Sequence, residues 1–350
     1  MQSHGMAGAG DRILAGISGG PDSMALIRVL MELRERLGIT LGLAHLNHNL
    51  RGDASDRDEA FVRSFARENG LELAVESLDV RGLARRHKLS QEEAGRNARY
   101  AFFNRVADSR GYTRIALGHH WDDHVEQVLM SLVRGTGPKG LCGISPVREN
   151  RIIRPLIQTS KADILEYLNQ KEQAFVTDAS NQDPAFLRNR VRHKLIPLLE
   201  EAFNPEIRTG LDRLSQILSI EDDFMSDQAD AAFDKVRAIP PQRPAPGAGV
   251  ALSAPGLSEL HPALAGRVLR KGILQVKQDL RRITHSHIRD ILTLAAGKNS
   301  GKSLDFPGQI RVYKKGGLIY IKKEEIPLRK LGRMQKSNRL KSRGNPGTKT

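Results

Sequence analysis

The sequence predicts an α/β protein, an open parallel sheet with helices on both faces, followed by a smaller α+β C-terminal domain. Three observations carry this. Short apolar runs at Ile13–Ile17, Thr40–Leu46, Leu71–Leu78 and Arg114–Gly118 alternate with helix-period stretches, as repeated strand–helix units require. The turn Ser18-Gly19-Gly20-Pro21-Asp22-Ser23 joins the first run to a helical pattern at Met24, Leu26, Ile27, Leu30 and Met31. Beyond a long helical region, strand-like residues return between Ser303 and Lys322.

The first strand, turn and helix have the makings of an anion-binding arrangement. Glycines let the backbone turn and let a bulky anion approach, while free N–H groups and the dipole of the helix start attract phosphate oxygens. Ser18 and Ser23 add hydroxyls. An ordinary turn uses the same dipeptides, so the residues alone leave both readings open. No Gly-Lys-Ser/Thr ending follows, so this is not a Walker loop.

The second strand, Thr40–Leu46, runs into His45-Leu46-Asn47-His48-Asn49-Leu50-Arg51-Gly52, polar groups where an open parallel sheet meets its ligands. A helix over Asp56–Asn69 and a strand over Leu71–Leu78 follow, then a strongly basic stretch, Arg81 to Lys88. The next helix, Gln91–Asp108, has an apolar stripe at Ala94, Ala98, Ala101, Phe102 and Val106, and carries Glu93, Arg96, Arg99 and Tyr100. Those charges also fit surface pairs at helical spacing.

After the strand Arg114–Gly118 comes His119-His120-Trp121-Asp122-Asp123-His124-Val125-Glu126-Gln127. On a helix Asp122 and Glu126 are i,i+4, and Asp123 and Glu126 are i,i+3, so three carboxylates crowd one face. Magnesium bridging to phosphates, or an ammonium group, would offset their repulsion. An acidic helix start favoured by the macrodipole is the simpler account. Zinc is disfavoured because no HExxH spacing occurs. The glycine-dense stretch Arg134–Ile144 reads as a flexible loop able to close over a substrate, with Lys139 and the single cysteine, Cys142, inside it.

An extended run at Ile152–Ile157 and a helix at Lys161–Gln170 lead to Asp178–Asp183 and then Arg188, Arg190 and Arg192. Forked guanidiniums suit phosphate oxygens, although a solvated helix face would look the same. Helical periodicity continues from Ile207 to Val236, Pro240–Gly247 reads as an exposed linker, and two helices are expected between Leu257 and Ala296. The latter carry a basic band at Arg267, Arg270, Lys271, Lys277, Arg281 and Arg282. Two strands with a turn at Lys315-Gly316-Gly317 should follow. Ala296–Ser303 nearly matches a Walker loop, but it follows a helix and precedes a strand, the reverse of what that loop needs. The expected organisation is a catalytic domain over 1–205, a helical linker and loop over 206–250, an RNA-contacting domain over 251–326 and a basic disordered tail over 327–350.

The 350 residues include 55 Lys and Arg against 40 Asp and Glu, a formal charge of +15 that points to a polyanionic partner. Aromatic residues are only 5%, so recognition by shape and phosphates is expected over base stacking. One cysteine excludes an internal disulfide or a thiolate cluster within one chain. With no signal-peptide core at the start and no membrane-length apolar stretch, a soluble cytoplasmic protein with no membrane partner is expected.

Taken in order, SGGPDS, HLNHNLRG, EEAGRNARYAFF, HHWDDHVEQ, RGTGPKGLCGI and DASNQDPAFLRNRVRHKLIPLLE resemble the motifs of the lysidine synthetase branch of the ATP pyrophosphatase family. The motifs cover the first 200 residues, and weaker similarity extends to about residue 325. The resemblance implies ATP and magnesium as cofactors, an isoleucine tRNA with a CAU anticodon and free L-lysine as partners, and it admits a homodimer. It implies ATP contacts at Ser18, Gly19, Gly20, Pro21, Asp22, Ser23, His45, Arg96, Gly118 and His119. Catalysis would fall to Asp122, Asp123, Glu126 and Arg190, and magnesium to Asp22, Asp122 and Asp123. The tRNA would meet Arg134, Lys139, Arg188, Arg192, Arg267, Arg270 and Lys271. Which carboxylate serves metal and which serves lysine is open, and Gln127 departs from the family's threonine. Among rivals, a tRNA thiolase of the superfamily would need paired cysteines or a cluster, and an NAD synthetase gives no reason for the charge. A non-enzymatic RNA-binding module would not need the acidic trio.

Overall fold

The computed structural model describes residues 1, 4–49, 52–177, 187–238, 249–297 and 302–325. Two compact units divide it, Met1–Ser219 and a second unit beginning at Ile220.

In the first unit, β1 (Arg12–Gly16) is hydrogen-bonded in parallel to β2 (Thr40–Asn47) on one side and β4 (Arg114–Ala116) on the other. Further strands are β3 (Glu72–Ser77), β5 (Val147–Arg148) and β6 (Ile152–Ile153), in sheet order β3-β2-β1-β4-β6-β5. Only the β5–β6 pair is antiparallel. Strand order reverses between β1 and β4, which opens a crevice at the C-terminal ends of those two strands. β1 is apolar throughout its middle because both faces are covered. Ile13 and Ala15 pack with helices α1 (Pro21–Leu37), α2 (Asp53–Glu68) and α7 (Lys161–Gln170), while Leu14 faces α4 (Gln91–Arg110) through Phe102 and Phe103. Met24, Leu26, Ile27 and Leu30 bury one face of α1 completely, each contributing roughly 1.5–3 kcal/mol. Gly38, with φ 63°, ends α1 in the left-handed conformation that favours glycine.

The remaining elements of this unit are α3 (Val80–His87), α5 (Trp121–Val133), α6 (Pro138–Leu141), α8 (Leu187–Arg190), a π-helical turn over Val191–Leu195 and α9 (Ile196–Ala202). The long α10 (Ile207–Val236) spans the expected helical stretch, and the division between the units falls inside it. The Asp178–Asp183 motif, the Pro240–Gly247 stretch and the tail lie outside the described residues.

The second unit holds β7 (Val250–Ser253), α11 (Ala254–Glu259), α12 (Pro262–Lys277), α13 (His285–Ala296), β8 (Ser303–Phe306), β9 (Ile310–Lys315) and β10 (Leu318–Lys323). Its antiparallel sheet runs β7-β10-β9-β8. Three strands replace the two expected after Ser303, because Pro307 is followed by Gly308 and Gln309 with φ of 83° and 63°, a turn that folds the run into a hairpin. Three helices replace the two expected: Ser253 caps α11 through the Gly256 N–H, and Pro262 starts α12 afresh. α13 ends at Ala296 and β8 begins at Ser303, so the near-Walker stretch links a helix to a strand.

Candidate functional site

The glycine-rich turn lies in the β1/β4 crevice. Ser23 Oγ donates to the Gly20 carbonyl at 2.9 Å and accepts from the Ser18 N–H at 3.1 Å, while Ser18 Oγ accepts from the Gly20 N–H at 3.3 Å. Gly19 has φ 82°, and a Cβ there would sit 3.3 Å from Phe61 and Val176. No side chain caps α1, so its first turn presents backbone donors to a ligand. At the end of β4, a Cβ on Gly118 would come within 2.9 Å of the Asp22 carbonyl oxygen and 3.2 Å of the Ser23 nitrogen. Only glycine lets strand and helix start approach this closely.

His45 is buried at the end of β2 with Nδ1 donating to the Ile17 carbonyl at 2.9 Å. That leaves Nε2 as a buried acceptor with no partner. Burial pushes its basicity down, and burial together with Arg99 pushes His48 down to about 4. His119 is pushed down to about 3 by burial and by Arg154, Arg188 and Arg96, which outweigh Asp123. His120 goes the other way. It is 2% exposed, and although burial opposes its charge, Asp122, Asp123 and Asp22 lie 3.5–3.7 Å from its ring nitrogens and raise it.

The acidic trio is held by arginines. Glu126, 1% exposed, meets Arg192 Nε at 2.5 Å and Arg188 Nε at 2.8 Å, and Asp123 meets Arg188 Nη2 at 3.0 Å and Arg192 Nη2 at 3.4 Å. Asp122 takes Arg208 Nη1 at 2.9 Å and the Lys161 backbone N–H at 2.8 Å. The repulsion that the spacing implies is thus offset from within the chain. Arg188 and Arg192 share a helical face at i,i+4, whereas Arg190, between them, is exposed. Lys161 reaches Asp22 with its ammonium.

Burial works against the charge of Asp122, yet His120, the Lys161 N–H and Arg208 hold its carboxyl down at about 2. A lowered carboxyl pKa stabilises the fold fully above the ordinary value near 3.8, and that contribution is lost as pH falls towards 2. Urea titrations should therefore show wild type losing more stability between pH 5 and 2 than Asp122→Asn; equal losses would contradict the assignment.

Sequence reasoning missed Lys161, Arg208, Arg148 and Arg154. Tyr100 is flanked by Arg148 at 4.8 Å and Arg96 at 5.6 Å from its ring centre. Arg154 is 3% exposed, donates to the Ser145 carbonyl at 2.5 Å, and has a buried Nε without a partner. The basic run around Ile152 and Ile153 was a usable signal for Arg148 and Arg154; the sequence near Arg208 shows its Glu200 partner but not Asp122, which is 86 residues away. Gln127 donates to Ser131 Oγ at 3.1 Å, a bond within its own helix.

His124 anchors the glycine loop. Ser215 Oγ donates to the Asp212 carbonyl at 2.8 Å and lies 2.6 Å from His124 Nε2, so Nε2–H is the donor there, and Nδ1 accepts the Ile144 N–H at 3.0 Å. Gly143 packs so closely that a Cβ would lie 2.5 Å from the ring. Arg134 and Lys139 remain exposed. His124→Leu should speed tryptic cleavage after Arg134 and Lys139 by on the order of tenfold, the lower range for losing a buried hydrogen bond, while His124→Gln, which can both accept and donate, should restore resistance. Equal cleavage of both variants would show that the bonds do not hold the loop.

In the second unit, Arg267 pairs with Asp222 at 2.7 Å and Lys271 with Asp230 at 2.5 Å, and Arg270 donates to the Gly266 carbonyl at 3.3 Å. The first half of the basic band is therefore tied to α10 and its own helix.

Comparison with known proteins fits this geometry. A PP-loop domain model matches residues 5–199, and a TilS substrate binding domain model matches residues 252–316. The tRNA(Ile)-lysidine synthase of Clostridium tetani is 33% identical over 93% of this chain and 68% of its own length. The chain belongs to the tRNA(Ile)-lysidine synthase family. That of Geobacter sulfurreducens is 40% identical over 88% of this chain and 64% of its own length, so the chain spans about two thirds of these relatives. Members of the lysidine synthase family are ligases that form a carbon–nitrogen bond, and this chain shares their tRNA-modifying, ATP-using PP-loop architecture. A U34-tRNA thiolase from Methanococcus maripaludis, solved with its [4Fe-4S] cluster, shares the fold with a TM-score of 0.50 and 21% identity, over 61% of this chain and 74% of that one. This chain's single cysteine, Cys142, cannot ligate such a cluster by itself. Among the described residues, no helix is long and apolar enough to cross a membrane.

Proposed function

We propose that this chain transfers AMP from ATP to the carbonyl oxygen of the wobble cytidine in a CAU-anticodon isoleucine tRNA, and then joins free L-lysine to the activated carbon. The observation that carries the reading is the anion cradle of Ser18–Ser23 against Gly118, set beside the Asp122/Asp123/Glu126 cluster. The carbonyl oxygen of cytosine is a poor leaving group. Its attack on the α-phosphate of ATP expels pyrophosphate and makes it part of a good one. The lysine amine then attacks the carbon, AMP departs with that oxygen, and the amine gives up a proton.

Backbone donors of the α1 start suit the phosphates, and Lys161, beside Asp22, adds a cation there. Among the described residues no group of three His, Cys, Asp or Glu side chains could hold a metal ion. Magnesium commonly needs only one or two carboxylates plus substrate phosphates, and Asp22 fits that role, whereas Asp122 and Asp123 are engaged by arginines. The ion would neutralise phosphate charge. Asp123 and Glu126 would take the lysine ammonium in exchange for contacts to Arg188 or Arg192. Arg190 and the exposed Arg134 and Lys139 suit tRNA phosphates. The tRNA substrate supports a cytoplasmic location, and exposed Leu214 and Ile217 support self-association as a homodimer, which sedimentation would measure.

Given ATP, magnesium and the tRNA without lysine, the protein should release about one equivalent of pyrophosphate per site. Added lysine should then release AMP and increase the tRNA mass by lysine less water. ADP as product, or pyrophosphate release independent of tRNA, would overturn the reading.

A further inference from the structure

We propose that α3 forms a phosphate-binding surface for the tRNA, at the same sheet edge as the glycine-rich turn and separate from the basic band of α12. The inference rests on the tRNA substrate proposed above. Residues 80–91 contain Arg81, Arg85, Arg86 and Lys88 and no Asp or Glu. Val80 and Ala84 are buried against Ala94 of α4, which turns the other side of α3 outward, and Arg85, Arg86 and Lys88 are exposed. The nearest preceding carboxylate, Asp79, caps the helix by accepting from the Gly82 N–H at 2.9 Å.

Several other surface cations are neutralised within the chain. Arg105 pairs with Glu76, Arg110 with Glu72 and Arg151 with Asp108, and in the second unit α10 neutralises Arg267 and Lys271. Arg85, Arg86 and Lys88 form no ion pair among the described residues. The negative end of the helix dipole favours one or two cations in the last turn. It does not account for a helix of eight residues with four Lys/Arg at or beside it and no acid.

Placement identifies the partner. β1, β2 and β3 are parallel, so the glycine-rich turn after β1 and α3 after β3 leave the sheet at one edge. β3 is two strands from β1, about 10 Å away at ordinary strand spacing. A nucleotide whose base enters the β1/β4 crevice has flanking backbone that can cross this edge. Lys and Arg on an exposed helix bind phosphates in a way that depends on salt and not on sequence.

The test compares wild type with Arg85→Gln/Arg86→Gln/Lys88→Gln and with Arg267→Gln/Lys271→Gln, measuring affinity for the isoleucine tRNA at several salt concentrations. Losing three phosphate contacts should lower the slope of log K against log salt by about two to three in the α3 variant. The α12 variant should change it by less than one. Unchanged melting curves establish that the exposed substitutions leave the fold intact. A wild-type slope in the α3 variant would overturn the proposal while leaving the enzymatic reading in place. Failure of wild type to bind or adenylate the tRNA would overturn both, so the two failures are distinguishable. Loss of binding to phosphatidylserine vesicles in place of tRNA would also overturn it.

Discussion

Glu126→Ala should destabilise the protein by about 3 kcal/mol, the lower end of the cost of breaking a buried ion pair. Glu126 is almost wholly buried and holds Arg188 and Arg192 together, so its loss leaves two guanidiniums facing each other with only Asp123 between them. The lower end applies because those arginines keep 30% and 33% of their side chains in solvent. Glu126→Gln keeps the shape and the acceptor oxygen but removes the charge, and should cost less. If Asp123 and Glu126 also hold the lysine ammonium, the glutamine variant should release pyrophosphate with ATP and tRNA and then stall before AMP release. Denaturant midpoints give the stability, and rapid-quench assays with labelled ATP separate the steps. A glutamine variant that turns over lysine normally would remove Glu126 from the chemistry and leave it a structural acid.

Gly118→Val should abolish productive ATP binding, with kcat/KM for ATP falling by about a hundredfold or more, the scale expected when reacting groups are displaced by about 1 Å. The added Cβ would meet backbone atoms of Asp22 and Ser23, which cannot swing aside as a flexible side chain would. The first turn of α1 must then retreat, carrying the phosphate-facing donors with it. Asp22→Ala and Ser23→Ala should likewise remove ATP turnover, because Ser23 Oγ fastens the turn to Ser18 and Gly20. In all three variants tRNA affinity should stay near that of wild type, since phosphate contacts outside the crevice supply most of the RNA affinity. Isothermal titration with a non-hydrolysable ATP analogue checks the first expectation, and filter binding of tRNA checks the second. Wild-type ATP affinity in Gly118→Val would show that the crevice is not the nucleotide site.

Local chemistry was legible from residue order. The glycine-rich turn, the helix Lys161–Gln170 with Ser160 and Asp163 capping each other's backbone, and the periodic run Ile207–Val236 all appear where the pattern placed them. Each depends on spacing within a few turns of chain, which a sequence displays directly. Family membership was legible too, because the six motifs occur in order. The reading failed where turns cut an apolar run into more pieces than periodicity shows, at the Pro307–Gln309 hairpin and at Pro262.

Tertiary structure decided which charges meet. The trio Asp122, Asp123 and Glu126 looked like a site awaiting a cation from outside, but its partners are Arg188, Arg192 and Arg208, 62 to 86 residues away along the chain. On α12, Arg267 and Lys271 take carboxylates from α10, while the shorter run on α3 keeps its charges exposed. Coulomb energy and hydrogen bonding depend on distance through space and on burial, and neither can be computed from separation along the chain. Residue order therefore determined most of the elements, the glycine-rich turn and the family of this protein, and only the packing of distant segments determined which of its charged groups are already neutralised and which stay exposed.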